Sequence, residues 1–351
     1  MARSLLPSHT MADMSERPRL ICAVIVVTAF AALAGSSASA SAAGHQWRSS
    51  PPINIAHQGG ESDFPGNTMY AFKESLKAGA DMLELDIGVT KDNQVIVQHN
   101  TTVDSRTNGV GDVRSYTLKQ IRKLDNAYWF SAAHGKVASS YDHDRSTSTY
   151  KFRGIATGKK KPPKGYTADD FKIVTLRDVI AAFPHTPINV EIKGRTKAED
   201  ISEYLANARV LAALLRSSKR RDIIVVSFKQ PAVDLFHTLA PKISVAPGIE
   251  GIAGFLLLKQ SPGTGVVAIQ APITYLYAGA MIEVSSQAFI DQAHAAGYAW
   301  QNWFGDDDPD SAVSWKKMVD RCVDGIMSSS PIALERFLKR TKSPLSCKLS
   351  K

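Results

Sequence analysis

Along the chain, short apolar runs rich in Val and Ile alternate with stretches whose apolar positions recur at helical spacing. Runs at Ile53–His57, Met82–Ile87, Val95–His99, Ile188–Lys193, Asp222–Phe228, Ile243–Ala246, Val266–Ile269 and Tyr298–Trp303 read as eight strands. Between them Thr68–Lys77, Ile201–Leu215 and Ser286–Ala296 carry amphipathic helical patterns. Strands that are apolar throughout are buried on both faces, which implies a parallel sheet covered by helices. Eight such units predict an α/β fold, a closed (β/α)8 TIM barrel over residues 53–340, followed by a tail at 341–351. An open doubly wound sheet is the alternative, but no G-x-G-x-x-G follows any of these strands.

The alternation breaks after the third strand. Residues 101–171 are polar and Gly/Pro-containing, yet hold Tyr128, Trp129 and Phe130 and a Lys159–Lys164 cluster. Loops longer than about 15 residues are commonly lids or linkers, and the aromatics favour an ordered inserted cap. At the amino end Arg17 and Arg19 precede an apolar run, Leu20–Ala34, and small residues including Ala38 and Ala40 follow it. Residues 1–43 therefore read as a cleaved signal peptide. The run falls short of the roughly 20 residues that span a bilayer, so no stable transmembrane anchor is expected. The expected location is secreted, periplasmic or cell-envelope. Cys322 and Cys347 survive such processing, either as a bridge tying down the tail or as two free thiols.

Composition narrows the function classes. With 44% hydrophobic and 21% charged residues in 351, the chain is neither disordered nor a multi-span membrane protein. A formal charge of +9 suits phosphate-bearing substrates or anionic envelope polymers as partners, and by itself does not point to nucleic acid.

Candidate chemistry lies at strand ends. His57 ends the first strand, Glu84 and Asp86 lie in the second, His99 ends the third, and Glu191 with Lys193 closes the fourth. Side chains two apart on a strand share a face, so both pairs can point into one barrel mouth. Three converging carboxylates repel one another, and a divalent cation is the natural counter-ion; ion pairing with Lys193 is the alternative. All-oxygen ligation favours Ca2+ or Mg2+ over zinc. Two histidines beside such a cation suggest one proton acceptor and one donor in phosphoryl transfer. Glu61 and Asp63 read as a solvated loop, with approach to the metal or the substrate's polar head as the alternative, Asn67 or Thr68 as a helix N-cap, and Trp300 and Trp303 as core packing or a pocket wall.

The blocks Ile55-Ala56-His57-Gln58-Gly59-Gly60, Pro65-Gly66-Asn67-Thr68, Ala71-Phe72, Gly79-Ala80-Asp81, Glu84-Leu85-Asp86 and His99-Asn100 resemble the glycerophosphodiester phosphodiesterase family. The resemblance runs from Ile53 to Leu338 and ends with Asp324-Gly325-Ile326 and Pro331, similar to that family's last strand and helix. It implies a (β/α)8 barrel that uses a divalent cation to hydrolyse glycerophosphodiesters to glycerol 3-phosphate and an alcohol. By matching position it implies Glu84, Asp86 and Glu191 as metal ligands, His57 and His99 as the acid/base pair, and Lys193 as a phosphate contact.

Three positions depart from the family pattern: Gln58 stands in place of Arg, Gly66 in place of Glu, and Asn100 in place of Asp. Gln58 keeps a position beside the phosphate without a charge, so Lys193 and the metal carry more of the binding. The absent Arg and Glu read as former partners, so that Gln58→Arg with Gly66→Glu is expected to raise activity cooperatively. Two other readings stand beside hydrolysis of small diesters: a phospholipase-D-like enzyme acting on intact lipids, and a weakly active envelope protein that binds phosphodiesters.

Overall fold

Residues 46–132, 141–195, 200–305 and 308–347 are described by the computed structural model. The segment read as a signal peptide lies outside them.

In chain order the strands are β1 (Ile53–Ala56), β2 (Met82–Val89), β3 (Val95–Val97), β4 (Ile188–Ile192), β5 (Ile223–Val226), β6 (Ser244–Val245), β7 (Ala268–Ala271), β8 (Thr274–Tyr277), β9 (Ala280–Glu283), β10 (Ala299–Asn302) and β11 (Gly325–Ser328). Eight of them pair in parallel in the order β6-β5-β4-β2-β1-β11-β10-β7. A parallel bridge between Val245 and Val266 brings the two ends of this sheet together, so the barrel is nearly closed.

The barrel has eight strands, but not the eight that the apolar runs suggest. Val95–Val97 pairs antiparallel with β2 and lies off the barrel path. Only residues 90–94 separate the two, whereas a parallel neighbour needs a crossover of about a dozen residues or more. Gly325–Ser328 supplies the eighth strand, so Trp300 and Trp303 belong to the penultimate one. The β8–β9 hairpin is an addition that the alternation did not mark.

The alternation of side chains along the strands sorts the core. Leu83, Leu85, Ile87, Val190 and Ile192 face outward and pack with helix residues such as Phe72, Tyr204 and Leu211. Ile55, Met82, Ile224, Val226, Ala268, Ala299 and Met327 fill the barrel. Above them Gln270 donates to Asn189 and to Gln301, each at 2.8 Å, forming a buried polar layer. Glu84 stands level with this layer, opposite Asn189, and Asp86 and Glu191 follow one step further along β2 and β4 in the same inward phase.

The first helix, Met69–Ala78, begins where the Thr68 hydroxyl accepts from the Ala71 N–H at 3.1 Å and ends at Gly79, whose φ of 105° favours glycine. Phe152, Tyr166 and Phe171 of the inserted segment pack an aromatic cluster onto this helix. Tyr70 stacks on Phe171 with centroids 4.7 Å apart, and Phe152 stacks on Phe171 at 5.5 Å. Cys322 and Cys347 form a disulfide.

Candidate active site

Parallel β2 and β4 are in register with Asp86 opposite Glu191, and this brings the carboxylates together. One oxygen from each of Glu84, Asp86 and Glu191 lies within 4.8 Å of the others. Glu84 and Asp86 are fully buried, and Glu191 nearly so. Lys193, the next inward position on the β4 side, places Nζ 2.7 Å from Glu191 Oε1 and 3.2 Å from Asp86 Oδ1.

Crowded negative charge sets the local acidities. Burial pushes the Glu84 carboxyl up and the Asp86 charge adds to it, reaching about 8 against the opposing pull of His57. Asp86 moves the other way: burial opposes ionisation, but Lys193, His99 and His57 hold its carboxyl well below the usual range. A buried trio of carboxylates beside one lysine is an oxygen-only donor set, which fits a hard divalent cation. Asp86 Oδ1 is moreover fully enclosed, with the Lys193 ammonium 3.2 Å away as its ion-pair partner.

His57 and His99 reach this cluster by different routes. His57 follows β1 directly, in a 3-10 turn over His57–Gly59. His99 arrives because β3 runs back along β2: Ile87 faces Val97, and the Gln98 N–H donates to the Asp86 carbonyl at 2.9 Å. His99 is therefore not at the end of a parallel strand, yet the hairpin returns it to the level of the carboxylates. Both histidines line one cavity of about 680 Å3 with Glu84, Glu191 and Lys193.

Each imidazole has its Nδ1 engaged. His99 Nδ1 lies 2.6 Å from Asn100 Oδ1, so the amide that replaces the family's carboxylate still orients the ring. His57 Nδ1 lies 2.9 Å from Glu61 Oε1, and its Nε2 faces Glu84 at 3.9 Å. Burial alone would lower the His57 pKa; Glu84, Glu61 and Asp86 outweigh it and raise it to about 10.

Glu61 is the residue that the sequence reading misplaces. It is not solvated but 1% exposed, held between His57 and Arg106, whose Nη2 donates to Glu61 Oε2 at 2.8 Å. Arg106 comes from the inserted segment and stacks on the Tyr141 ring 4.2 Å away. No local motif marks it, because its partner is 45 residues distant.

Gln58 also differs from expectation. Its side chain does not line the cavity; Oε1 accepts from Arg106 at 2.6 Å and from Asn67 at 3.1 Å. The residue acts instead through its backbone N–H, which donates to Glu84 Oε2 at 2.7 Å. Arg106 thus holds the Gln58 amide and Glu61 together, away from the cavity lining. A Cβ on Gly66 would sit 2.7 Å from Glu61 Cβ and 3.0 Å from Arg106 Nη1, leaving no room for a glutamate there. The paired restoration of Arg and Glu is accordingly no longer expected to help.

Asn67 is not the helix cap. Thr68 caps the helix, while Asn67, at φ 57°, donates to Asp86 Oδ2 at 2.9 Å. Ser329 Oγ lies 3.2 Å from His57 Nδ1, and Asp310 accepts from the Ser329 N–H at 2.7 Å. Trp300 is fully buried in the outer core, whereas Trp303 lines the cavity.

Residues 57–333 match the model of the glycerophosphoryl diester phosphodiesterase family. The chain belongs to that family. A glycerophosphodiester phosphodiesterase of Bacillus subtilis is 28% identical over 200 residues, covering 56% of this chain and 59% of that one. A second, from Caldanaerobacter subterraneus subsp. tengcongensis, is 49% identical over 157 residues, covering 39% of this chain and 65% of that one. The match thus spans less than two thirds of each relative. Among solved structures, a glycerophosphodiester phosphodiesterase of Agrobacterium tumefaciens superposes with a TM-score of 0.54 at 18% identity, covering 81% of this chain and 99% of that one. An Oleispira antarctica phosphodiesterase in complex with the product sn-glycerol-3-phosphate gives 0.56 at 16% identity, covering 84% and 99%. Likeness at such identities speaks to the fold, and the fold shared with the family is the (β/α)8 barrel.

Proposed function

We propose that this protein hydrolyses glycerophosphodiesters to glycerol 3-phosphate and an alcohol, with a divalent cation, Ca2+ or Mg2+, as cofactor. The observation that carries this reading is the trio of carboxylate oxygens within 4.8 Å of one another, of which Glu84 and Glu191 line a cavity shared with two imidazoles. The family match and the product-bound relative support the choice of substrate.

Glu84, Asp86 and Glu191 would hold the cation, which supplies positive charge to polarise the phosphoryl oxygens. Lys193, beside Glu191, presents its ammonium to a phosphate in the same cavity. With Nδ1 held against Glu61 and Ser329 in one case and Asn100 in the other, His57 and His99 each keep Nε2 for the substrate. One takes the proton of the attacking oxygen and the other returns a proton to the departing alkoxide. Glu61 stabilises the imidazolium form of His57, and Arg106 keeps that carboxylate ionised and in place.

We further propose export to the envelope or medium, supported by the leader pattern and by the Cys322–Cys347 disulfide, which suits an oxidising compartment. The net charge, about +8 once residues 1–43 with their Arg3, Arg17, Arg19, Asp13 and Glu16 are removed, is consistent with anionic envelope polymers nearby.

The test is release of glycerol 3-phosphate from glycerophosphocholine, glycerophosphoethanolamine and glycerophosphoglycerol with Ca2+, Mg2+ or a chelator. Release that depends on added cation is expected; no release from any of these, or release unaffected by the chelator, contradicts the reading.

A further inference from the structure

Lys193 is the one lysine or arginine among the described residues that line the cavity. The far end is apolar, walled by Ile252, Leu256 and Phe289, and offers a phosphate no charge. The place of this single ammonium therefore decides where a phosphate is gripped. Lys193 follows the last residue of β4, where the sheet ladder gives out. Its N–H donates to the Ile87 carbonyl at 3.3 Å, and its own carbonyl is held by a side chain.

That side chain comes from the helix Ser202–Leu215. The helix packs Ala208, Leu211, Ala212 and Leu215 into the core, and Asn207 interrupts this apolar face although it is only 1% exposed. Burying an amide costs stability unless both of its ends find partners. Here Nδ2 donates to the Lys193 carbonyl at 2.8 Å and Oδ1 accepts from Arg114 Nη2 at 2.5 Å. A leucine would serve the packing better, so packing does not account for the amide. Gly194 shows how closely the helix is pressed against this stretch: a Cβ there would fall 2.5 Å from the Tyr204 ring.

Arg114 belongs to the inserted segment. Its Nε lies 3.3 Å from Glu203 Oε1, and Glu203 Oε2 accepts from the Arg195 N–H at 3.2 Å, two residues past Lys193. Arg195 pairs in turn with Asp112 at 2.6 Å, and Asp112 forms an antiparallel bridge with Thr102, three residues past His99. One closed set of contacts thus joins the main chain that carries Lys193 to the main chain that carries His99.

We propose that Asn207 and Arg114 are positioning residues for Lys193. They fix its main chain so that the ammonium, 2.7 Å from Glu191 and 3.2 Å from Asp86, meets the phosphate at one place. This role rests on the phosphodiesterase reading above and adds to it the support of the phosphate contact. Arg114 acts through Asn207. Because the lysine grips the phosphate before and during the reaction alike, loosening it weakens binding more than turnover.

The experiment follows choline release from glycerophosphocholine by the parent, Asn207→Leu, Arg114→Gln and the double variant. In parallel, mass spectrometry reads the rate at which acetic anhydride labels the Lys193 amine. KM is expected to rise about five- to tenfold in each single variant with kcat within about threefold, and the double variant to be no worse than Asn207→Leu. Lys193, held on its two carboxylates in the parent, is expected to label several-fold faster in both single variants. A merely structural loss would lower the melting midpoint and the active fraction and leave KM and labelling unmoved. KM within about twofold of the parent in both single variants, or unchanged labelling of Lys193 in both, would overturn the proposal. Faster labelling in variants of a parent that releases no choline would count against the proposed reaction and leave the positioning of Lys193 standing.

Discussion

Replacing Glu61 with glutamine removes one charge from the centre of a buried chain of contacts and leaves its shape. Glu61 Oε1 is 2.9 Å from His57 Nδ1, and Oε2 accepts from Arg106 at 2.8 Å. When His57 carries a proton, the lost attraction is about 4 kcal/mol for charges about 4 Å apart at an effective dielectric of about 20. That energy sets the loss in kcat at about 10²- to 10³-fold, within the range of general acid–base contributions. Stability falls too, because Arg106 is left buried beside neutral Gln58 and Tyr141; stranding a buried charge costs about 3–5 kcal/mol. Removing both charges separates the two effects. In Glu61→Gln with Arg106→Gln the thermal midpoint is expected to recover most of a loss of roughly 5–10 °C, while kcat stays low because His57 still lacks its carboxylate. Steady-state kinetics and thermal melts on the two single variants and the double variant decide the matter. A Glu61→Gln enzyme within threefold of the parent, or a double variant whose rate returns with its stability, would refute the positioning role.

Other perturbations follow from the same contacts. Gly66→Glu forces a side chain against Glu61 and Arg106, and we expect about 1–3 kcal/mol of destabilisation in denaturant melts, with or without Gln58→Arg. Asn67→Ala removes the donor to Asp86 Oδ2, and calorimetry should find divalent-cation affinity about 10- to 100-fold weaker; an unchanged affinity would mean that Asp86 needs no such support. Cys347→Ser opens a cross-link between residues 25 apart, for which the chain-entropy estimate is about 3.5 kcal/mol of lost stability. An equal melting midpoint with and without the bridge would show that the tail contributes nothing.

The architecture was legible because apolar strands alternating with amphipathic helices admit few solutions. The one misassigned strand shows the limit of that pattern: an apolar triplet such as Val95-Ile96-Val97 is buried equally well in a barrel or in a hairpin, and only the brevity of residues 90–94 distinguishes them. The carboxylates and Lys193 were legible through the period of two along β2 and β4, which needs no tertiary knowledge. The support around them was not. Glu61 reads as a loop acid until Arg106, far along the inserted segment, is folded against it. Gln58 reads as a weakened phosphate contact because its matching position says nothing about where its side chain turns, and it turns toward Arg106 and Asn67. The apolar end of the cavity escaped the sequence altogether, since it is assembled from separated segments that each resemble ordinary core.

The most direct test of the central claim is a crystal structure of the protein with Ca2+ and glycerol 3-phosphate. The account predicts one ion bonded at about 2.3–2.6 Å to oxygens of Glu84, Asp86 and Glu191, with the phosphate touching it, Lys193 and the imidazoles of His57 and His99. An ion bound away from these carboxylates, or a phosphate out of reach of both histidines, would contradict it.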